Sequence, residues 1–340
     1  MKAARVLGPG KIVIEDVPVP EPNEKEILIA VQRVGICGTD VDILGGHVPV
    51  KYPLTLGHEF AGTIAGLGGS SLSAFKEGDA VMSGSGWGCG GCEPCRQGRE
   101  NYCRNRIALG RTTDGCMAEF VKVDSRLVRK LPENVTFDEA QSTANLACAI
   151  RAVKKIDPRR TKTAAVFGPG NAGLLILQLL KMAGVERVVM VGTRDFRLEM
   201  ARKFGCDETI NVKKEDPKRA ILNRFPEGVD AVFESSGRAE ALRSCFDVVK
   251  ANGAVVVFGI ISEKMKDFDP SFLYYKEPVI YGSKGSGGDY GEALQLLAQK
   301  KVRILPMITH RFLLHETAKA FKVFEDKIPD ALRIVIDVRP

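Results

Sequence analysis

The sequence has no long hydrophobic run. Its most apolar stretch, GLLILQLL at 173–180, is far shorter than the roughly 20 residues that span a bilayer, and Lys181 follows it. The opening MKAARVLGPGKIVIEDVPVP contains no unbroken apolar segment of the kind that a secretory signal peptide requires. We therefore expect a cytoplasmic protein without a membrane partner.

Aromatic residues are also scarce, at 7% of the chain. The net charge is +7, and basic runs stand at 154–162 and 213–219. Surfaces that bind nucleic acids combine such runs with aromatic side chains on which bases stack. Here acidic residues interrupt both runs and no aromatic residue accompanies them. The pattern indicates solvated side chains and no nucleic-acid partner.

The 340 residues suffice for about two domains. Short β-branched runs between Gly- and Pro-rich turns predict a barrel-type β domain over 1–145. From 146 to 290, strands alternate with helices, which predicts an α/β fold with a doubly wound parallel sheet. The tail from 291 to 340 resembles the first part more than the middle. We therefore expect it to complete the first domain.

A glycine-rich turn, FGPGNAG, follows a predicted strand and opens a predicted helix. Gly168 permits the tight turn, Gly170 lets the backbone approach a pyrophosphate, and Gly173 allows close helix–strand packing. Asn171 and Ala172 lie between them, where the helix N-terminus would face the phosphates. An ordinary glycine-rich turn is the alternative, but the β-α-β context favours dinucleotide binding.

The end of the second strand of this fold reads MVGTRDFR. NAD-binding sheets usually carry an acidic residue here for the ribose 2′-hydroxyl, but this chain has Gly192. Thr193 and Arg194 follow, and Arg197 stands three residues later, so a hydroxyl and two guanidinium groups could meet a 2′-phosphate. This favours NADP over NAD, unless both arginines are simply solvated.

Four cysteines occur within fifteen residues, with C-x2-C-x2-C-x7-C spacing: Cys89, Cys92, Cys95 and Cys103. Four thiolates form a closed tetrahedral set, which predicts structural zinc. Disulfides are disfavoured because the two-residue spacing would strain them and a cytoplasmic compartment is reducing. An iron–sulfur cluster remains an alternative, since cysteine ligation does not exclude it.

A second group of metal-ligand types lies in GICGTD and LGHEFAG. Cys37 precedes Thr39 and Asp40, and His58 precedes Glu59. Thiolate, imidazole and carboxylate are the ligands of a catalytic zinc with an open position. Core packing would explain an isolated Cys and His, but the dinucleotide motif supplies the hydride chemistry that such a zinc assists.

With these motifs in this order, the chain resembles the zinc-containing medium-chain dehydrogenase/reductase family, which includes alcohol, polyol, threonine and glucose dehydrogenases. The resemblance implies a GroES-like catalytic domain, an inserted Rossmann domain, and a homodimer or homotetramer, often joined near EPVIYGS. By position it makes Cys37, His58 and Glu59 the catalytic-zinc ligands, and it gives the proton-transferring hydroxyl to Thr39. It also adds two cofactor contacts after a later strand, Gly259 and Ile260.

Two departures from the family pattern concern the metal site. Ala144 stands where many relatives carry a further acidic or cysteine ligand, which leaves water, Asn145 or Cys148 to complete the metal shell. Asp42 stands where many relatives have a proton-relaying histidine. The GTR segment is similar to the Gly-Ser-Arg of NADP-dependent secondary alcohol dehydrogenases, although those enzymes lack the four-cysteine lobe.

The sequence therefore predicts a zinc-dependent oxidoreductase with two zinc ions per chain. We expect it to transfer a hydride between NADP(H) and a secondary alcohol or polyol, or the matching ketone, as its small-molecule substrate. One alternative is an NAD-dependent sugar-alcohol or amino-alcohol dehydrogenase. The other is a non-catalytic cofactor-binding or structural protein on the same scaffold.

Overall fold

The computed structural model describes residues 1–265, 268–326 and 328–339. The strands of these residues are β1 (Lys2–Gly8), β2 (Lys11–Asp16), β3 (Glu26–Gly35), β4 (Leu54–Thr55), β5 (Phe60–Leu67), β6 (Ala80–Ser83), β7 (Gly86–Trp87), β8 (Ile107–Ala108), β9 (Phe120–Asp124), β10 (Val128–Lys130), β11 (Thr163–Phe167), β12 (Arg187–Gly192), β13 (Glu208–Asn211), β14 (Val229–Glu234), β15 (Val249–Val257), β16 (Val279–Gly282), β17 (Ile308–Leu313) and β18 (Arg333–Asp337).

The α-helices of the same residues are α1 (Gly38–Leu44), α2 (Glu93–Arg96), α3 (Phe137–Ala140), α4 (Thr143–Val153), α5 (Asn171–Met182), α6 (Asp195–Lys203), α7 (Pro217–Arg224), α8 (Ala239–Val248), α9 (Ser271–Lys276), α10 (Tyr290–Ala298) and α11 (Thr317–Glu325). None of these helices is long and apolar enough to cross a membrane. The contacts divide the chain into unit 1, Met1–Asn145 with Tyr290–Pro340, and unit 2, Leu146–Asp289.

Unit 1 is built around the long strand β3, which pairs antiparallel with β5, β9 and β18. Its main sheet has the order β10-β6-β5-β3-β18-β17, with β9 also on β3, and β2-β1-β4 forms a second sheet. Because β17 and β18 come from the C-terminal segment, that segment completes the main sheet. The alternating residues Ile27, Ile29 and Val31 of β3 are fully buried in the core.

Unit 2 holds a single six-stranded parallel sheet in the order β13-β12-β11-β14-β15-β16. Strands such as β11 and β12 are buried along nearly their whole length, as expected when helices cover both faces of a sheet. The strand order reverses between β11 and β14, which is the topological switch point of a Rossmann sheet. The predicted fold class is confirmed.

The elements that were not predicted from the sequence are β1, β4, β7, β8, β10, α1, α2, α3, α7 and α9. Helix α7 begins within the basic run at 213–219, which was interpreted only as solvated charge. Its start carries a recognisable signal: Asp216 accepts a hydrogen bond from Arg219 N at 2.7 Å, and Pro217 occupies the first helical position.

Candidate functional sites

The structure brings the four clustered cysteines together. The sulfur atoms of Cys89, Cys92, Cys95 and Cys103 all lie within 4.8 Å of one another. A tetrahedral zinc with bonds near 2.3 Å separates its sulfur ligands by about 3.8 Å, so the cluster fits this ion. All four cysteines are free thiols, as are the other cysteines that the structure describes.

The thiols of the cluster differ in pKa because their surroundings differ. Backbone N–H groups of Gly91 and Cys92 lower the pKa of the Cys89 thiol to about 6. Desolvation and the neighbouring Cys92 raise the pKa of the Cys95 thiol to about 12. A zinc ion bound here would hold all four sulfur atoms as thiolates, because the thiolate is the form of cysteine that binds metal.

Residues other than the four cysteines stabilise the loop that carries them. Glu100 Oε2 accepts a hydrogen bond from Gly88 N at 2.9 Å, and Arg126 donates to Gly88 O at 3.3 Å. A Cβ atom at Gly88 would lie 2.5 Å from Cys95 Sγ, so only glycine fits beside the sulfur atoms. The backbone therefore packs closely against this side of the cluster, and four thiolates would leave a zinc ion no open position for a substrate.

Cys37, His58 and Glu59 form the second cluster, with one ligand atom of each within 4.8 Å of the others. Cys37 directly precedes α1, and His58 and Glu59 directly precede β5. His58 Nε2 lies 3.9 Å from Glu59 Oε1. The sulfur, nitrogen and oxygen donors supply three protein ligands, which is the set that leaves a zinc position open.

Asp40 joins the two loops of this cluster and is completely buried. Its Oδ2 accepts a hydrogen bond from Cys37 N at 2.9 Å, and its Oδ1 accepts one from Gly57 N at 3.1 Å. His58 Nδ1 lies 3.3 Å from the same Oδ1. Because a carboxylate on Nδ1 fixes the tautomer, Nε2 remains available as a metal ligand. The sequence analysis gave Asp40 no such role.

Arg333, which the sequence analysis did not consider, holds Glu59 from the other side. Its side chain is 1% exposed, and its Nη1 lies 2.5 Å from Glu59 Oε2. Its Nε donates to Gln141 Oε1 at 3.0 Å. The guanidinium fills the space that a side chain at Gly35 would need. A buried charge must be paired, and here the pair includes a predicted metal ligand.

Asn145 contacts the second oxygen of Glu59. Its Nδ2 donates to Glu59 Oε1 at 3.3 Å, while its Oδ1 is buried without a hydrogen-bond partner among the described residues. Ala144, beside it, is buried and offers no ligand atom. Water, Asn145 and Cys148 were the candidates for completing the metal shell. Of these, Asn145 contacts the cluster directly, through its hydrogen bond to Glu59.

Burial and neighbouring charges shift the pKa values of the three residues in this cluster. Burial opposes ionisation of Glu59, but Arg333 and His58 lower its pKa below the usual value. Burial and the charge of Glu59 raise the pKa of the Cys37 thiol. Burial also opposes protonation of His58, yet Asp40 and Cys37 raise its pKa well above the usual value. The ligand atoms of Cys37, His58 and Glu59 thus surround a position where a cation fits.

Thr39 and Asp42 lie on α1 at different distances from this cluster. Thr39 is half-buried, and its Oγ1 lies 3.8 Å from Cys37 Sγ. Asp42 is exposed, and its Oδ1 lies 4.0 Å from His47 Nδ1. Of these two residues, Thr39 is the one beside a predicted metal ligand.

In unit 2, the glycine turn has the geometry that its sequence predicts. Gly168 has a φ of +105°, and Gly170 is the N-cap of α5 without a side chain in the way. Asn171 and Ala172 start the helix, so their N–H groups have no partner within it. Gly173 has no room for a Cβ atom, which would lie 2.8 Å from Ser235 Oγ.

Two arginines lie beside this turn, at the start of α6. Arg194 is the N-cap of α6, and the Arg197 guanidinium lies 4.0 Å from the position of a Cβ atom at Gly170. Burial lowers the pKa of Arg194, and burial together with Arg194 lowers that of Arg197 to about 10. Two partly desolvated cations next to a phosphate-binding turn favour an anion.

The nearest acidic residue is turned to other partners. Asp195 Oδ2 lies 2.9 Å from Lys214 Nζ, and its Oδ1 accepts from Asn211 Nδ2 at 2.8 Å. Packing also explains why glycine stands at position 192, because the ring of Pro169 fills the space that a side chain there would need. The missing acid at this position therefore reflects packing against the glycine turn as well as ligand preference.

Gly259 and Ile260 follow the end of β15, and the side chain of Ile260 is 78% exposed. Because the carboxyl ends of parallel strands share one edge of a sheet, these residues lie at the same edge as the glycine turn. Every predicted cofactor residue thus lies at the edge where dinucleotides bind in such sheets.

Two family models match the sequence. Residues 23–133 match the alcohol dehydrogenase GroES-like domain, and residues 172–299 match the zinc-binding dehydrogenase domain. The first match lies within unit 1. The second match begins in unit 2 and extends through α10 of unit 1.

Individual relatives match over nearly the full length. A sorbitol dehydrogenase from Halalkalibacterium halodurans is 31% identical, over 97% of this chain and 96% of the relative. A D-arabitol-phosphate dehydrogenase from Enterococcus avium is also 31% identical, over 100% and 98%. A zinc-binding dehydrogenase from Sinorhizobium meliloti, solved with NADP bound, is 29% identical with a TM-score of 0.91, over 99% and 98% of the two chains.

Proposed function

The chain belongs to the zinc-containing medium-chain dehydrogenase family, and we propose that it transfers a hydride between NADP(H) and a secondary alcohol or polyol. That it is an alcohol or polyol oxidoreductase follows from the family and its named relatives. The non-catalytic alternative is thereby set aside. The cofactor preference, the narrower substrate class and the residue roles are the proposal.

The convergence of Cys37, His58 and Glu59 on one position is the observation that carries this function. A zinc ion held there would polarise the substrate oxygen as a Lewis acid and make its hydroxyl more acidic. Asp40 keeps His58 in the tautomer that presents Nε2, and Arg333 keeps Glu59 ionised. These residues orient the metal ligands without taking part in the proton transfer.

Thr39 is the proposed proton acceptor. Its Oγ1 would take the proton of the alcohol hydroxyl and pass its own proton on toward solvent. A bound oxidised nicotinamide would supply the acceptor for the carbinol hydride, so that an alcohol and the oxidised cofactor give a ketone, the reduced cofactor and one proton. The hydroxyl beside Cys37 supports this role because a proton acceptor must lie within reach of the group bound at the metal.

Arg194 and Arg197 support NADP(H) over NAD(H). A 2′-phosphate can form charge-assisted hydrogen bonds with guanidinium groups, whereas a ribose hydroxyl cannot neutralise two adjacent cations. The Sinorhizobium meliloti relative was solved with NADP, which agrees with this preference. The Asp195 carboxylate, bonded to Lys214 and Asn211, offers the ribose no free acid.

Steady-state kinetics with both cofactors test the preference. Arg194→Ala should lower kcat/KM for NADP(H) by about tenfold or more, because a hydrogen bond to a charged group contributes about 1.5–3 kcal/mol. The value for NAD(H) should change less than about twofold. Arg202→Ala, an exposed arginine of α6 paired with Glu199, is the matched control. A wild type that prefers NAD(H) would contradict the assignment.

Metal analysis and a substrate panel test the rest. We expect about two zinc ions per chain, one in each cluster, whereas a protein with only the structural site would hold one. Iron in place of zinc would favour the iron–sulfur alternative for the four cysteines. Secondary alcohols, polyols and polyol phosphates, each tried with both cofactors, would define the substrate.

Clustered cysteines that bind metal also support a cytoplasmic location.

We also propose that a second copy of the chain pairs at strand β16. In the described part of the sheet, β16 is bonded on one side only, to β15, and it exposes Val279 and Ile280. The opposite edge strand, β13, is protected by charge, because Glu208 is paired with Arg187 and Arg224. An apolar edge without charges favours strand addition.

Ile280→Glu should lower the mass measured by light scattering to that of a monomer, and an unchanged mass would refute the pairing.

A further inference from the structure

Ser235, which directly follows β14, holds the carbonyl groups of the glycine turn. Its hydroxyl donates to Phe167 O at 2.8 Å and to Gly168 O at 3.0 Å. A Cβ atom at Gly168 would lie 2.7 Å from Ser236 N, so turn and segment are in direct contact. Since both carbonyl oxygens are bonded to Ser235, they are kept from facing an anion at the turn.

Glu234, one residue earlier, is completely buried and organises the adjoining backbone. Its Oε1 accepts hydrogen bonds from Ser236 N at 2.7 Å, from Ser236 Oγ at 2.6 Å and from Gly237 N at 2.9 Å. Its Oε2 has no hydrogen-bond partner among the described residues. The carboxylate thus shapes a tight turn from within.

The same residue reaches the segment after β15. The backbone oxygen of Glu234 accepts from Phe258 N at 2.9 Å and from Gly259 N at 3.0 Å. A Cβ atom at Gly259 would lie 2.5 Å from Glu234 Oε2, and one at Gly237 would lie 3.0 Å from Ile260 O. The backbone at 259–260 is therefore in contact with the turn that Glu234 shapes.

The topology gives these contacts a meaning for ligand binding. Strand order reverses between β11 and β14, and a dinucleotide lies across such a switch point with one nucleotide half on each side. In a bound dinucleotide, the glycine turn after β11 would face the pyrophosphate, and the ends of β14 and β15 would lie on the nicotinamide side. The 234–237 segment contacts both the glycine turn and the 259–260 backbone.

We propose that the 234–237 segment is the positioning element of the dinucleotide site: Ser235 sets the phosphate-binding turn, and Glu234 sets the 259–260 backbone under the nicotinamide half. This inference rests on the proposed function of unit 2 as the cofactor-binding unit. It assigns a role to residues that carry none of the sequence motifs and that act by holding the backbone of other predicted cofactor residues.

Two ligands separate the two roles in calorimetric titrations of the full-length zinc-loaded protein. One is the complete reduced cofactor that the wild type prefers. The other is its adenine half, 5′-AMP or 2′,5′-ADP, which lacks the nicotinamide half that we place over the 259–260 backbone. Glu234→Ala should weaken binding of the complete cofactor about tenfold and that of the adenine half less than about twofold. Ser235→Ala should weaken both about three- to tenfold.

Controls exclude a general loss of structure. Glu234→Gln keeps an acceptor for Ser236 N and Gly237 N, so it should restore cofactor affinity to within about threefold of the wild type. Ser244→Ala removes an exposed hydroxyl of α8 that is bonded only to Glu240 O, and it should bind both ligands normally. If Glu234→Ala does not fold, Ser236→Ala takes the same test with an expected loss of about threefold for the complete cofactor alone.

The outcomes are distinct. If Glu234→Ala weakens both ligands equally, or neither, the inference is wrong, even though the cofactor site stands. The same holds if Ser235→Ala binds both ligands like the wild type. If the wild-type protein binds neither NAD(H) nor NADP(H), the proposed function itself fails before any variant is compared.

Discussion

The two metal-ligand clusters of unit 1 are assembled in opposite ways. The four cysteines stand within fifteen residues on one loop, and Gly88 and Glu100, which stabilise this loop, are their neighbours in sequence. Cys37, His58 and Glu59 come from two loops and are held by Asp40, Asn145 and Arg333. A local cluster can be lost without moving the rest of the chain, whereas the assembled one depends on partners far away in sequence.

The largest effect on turnover should come from His58. His58→Ala removes the imidazole from the assembled cluster, so we expect hydride transfer to fall below detection and about one zinc ion per chain to remain. Cofactor binding should survive, because unit 2 contains all the predicted cofactor residues. Stopped-flow and calorimetric measurements would check both. Full activity in this variant would refute the catalytic assignment.

Thr39→Val should lower turnover about a hundredfold, the usual cost of a lost proton-transfer group. Valine keeps the shape of threonine, so metal content and cofactor affinity should stay at wild-type values. Thr39→Ser, which keeps the hydroxyl, is the control and should retain most of the activity. Equal activity of the valine and serine variants would show that Thr39 does not carry the proton.

Arg333→Met should lower turnover roughly tenfold, as is typical when a residue that supports a metal ligand is removed. It should also cost about 3–5 kcal/mol of stability, because the buried Glu59 carboxylate is left unpaired. Arg333→Lys keeps a positive charge and should lose less. Arg311→Met, which removes a half-exposed partner of Asp138 and Asp337, is the control and should cost about 1 kcal/mol or less.

Cys92→Ser should have the smallest effect on turnover. It opens the four-cysteine cluster, so one zinc ion per chain should be lost and the melting temperature should fall by several degrees, while turnover of the folded protein changes less than about twofold. Differential scanning calorimetry with metal analysis would check this. A collapse of turnover at unchanged stability would mean that the cluster serves catalysis.

The sequence predicted the fold class and the family, and both are confirmed. It also named the residues of both clusters. The four cysteines stood out by their spacing alone, whereas Cys37, His58 and Glu59 were named because a dinucleotide motif and a family resemblance accompanied them. Arg333 could not be found in this way. It pairs with Glu59 across 274 positions of sequence, and a single buried arginine in a strand has no pattern of its own.

The glycine turn shows a different limit of sequence reasoning. The absence of an acid at Gly192 was interpreted as ligand preference alone, but Pro169 also excludes any side chain there. A Gly192→Asp substitution would therefore disturb the turn and change the cofactor preference together. Steric exclusion depends on neighbours that the sequence does not bring together, which is why the arginine variants are the cleaner experiment.

The distance between Glu59 and Arg333 has a consequence for synthesis on the ribosome. Glu59 emerges first, then the whole of unit 2 is made, and only afterwards does Arg333 appear, 274 residues later. At about 5–20 residues per second, this interval is roughly 14–55 s. During it, β3 lacks β18 and the Glu59 carboxylate lacks its guanidinium. The nascent chain therefore presents an open sheet edge to chaperones for tens of seconds, and the metal site is among the last parts of the protein to mature.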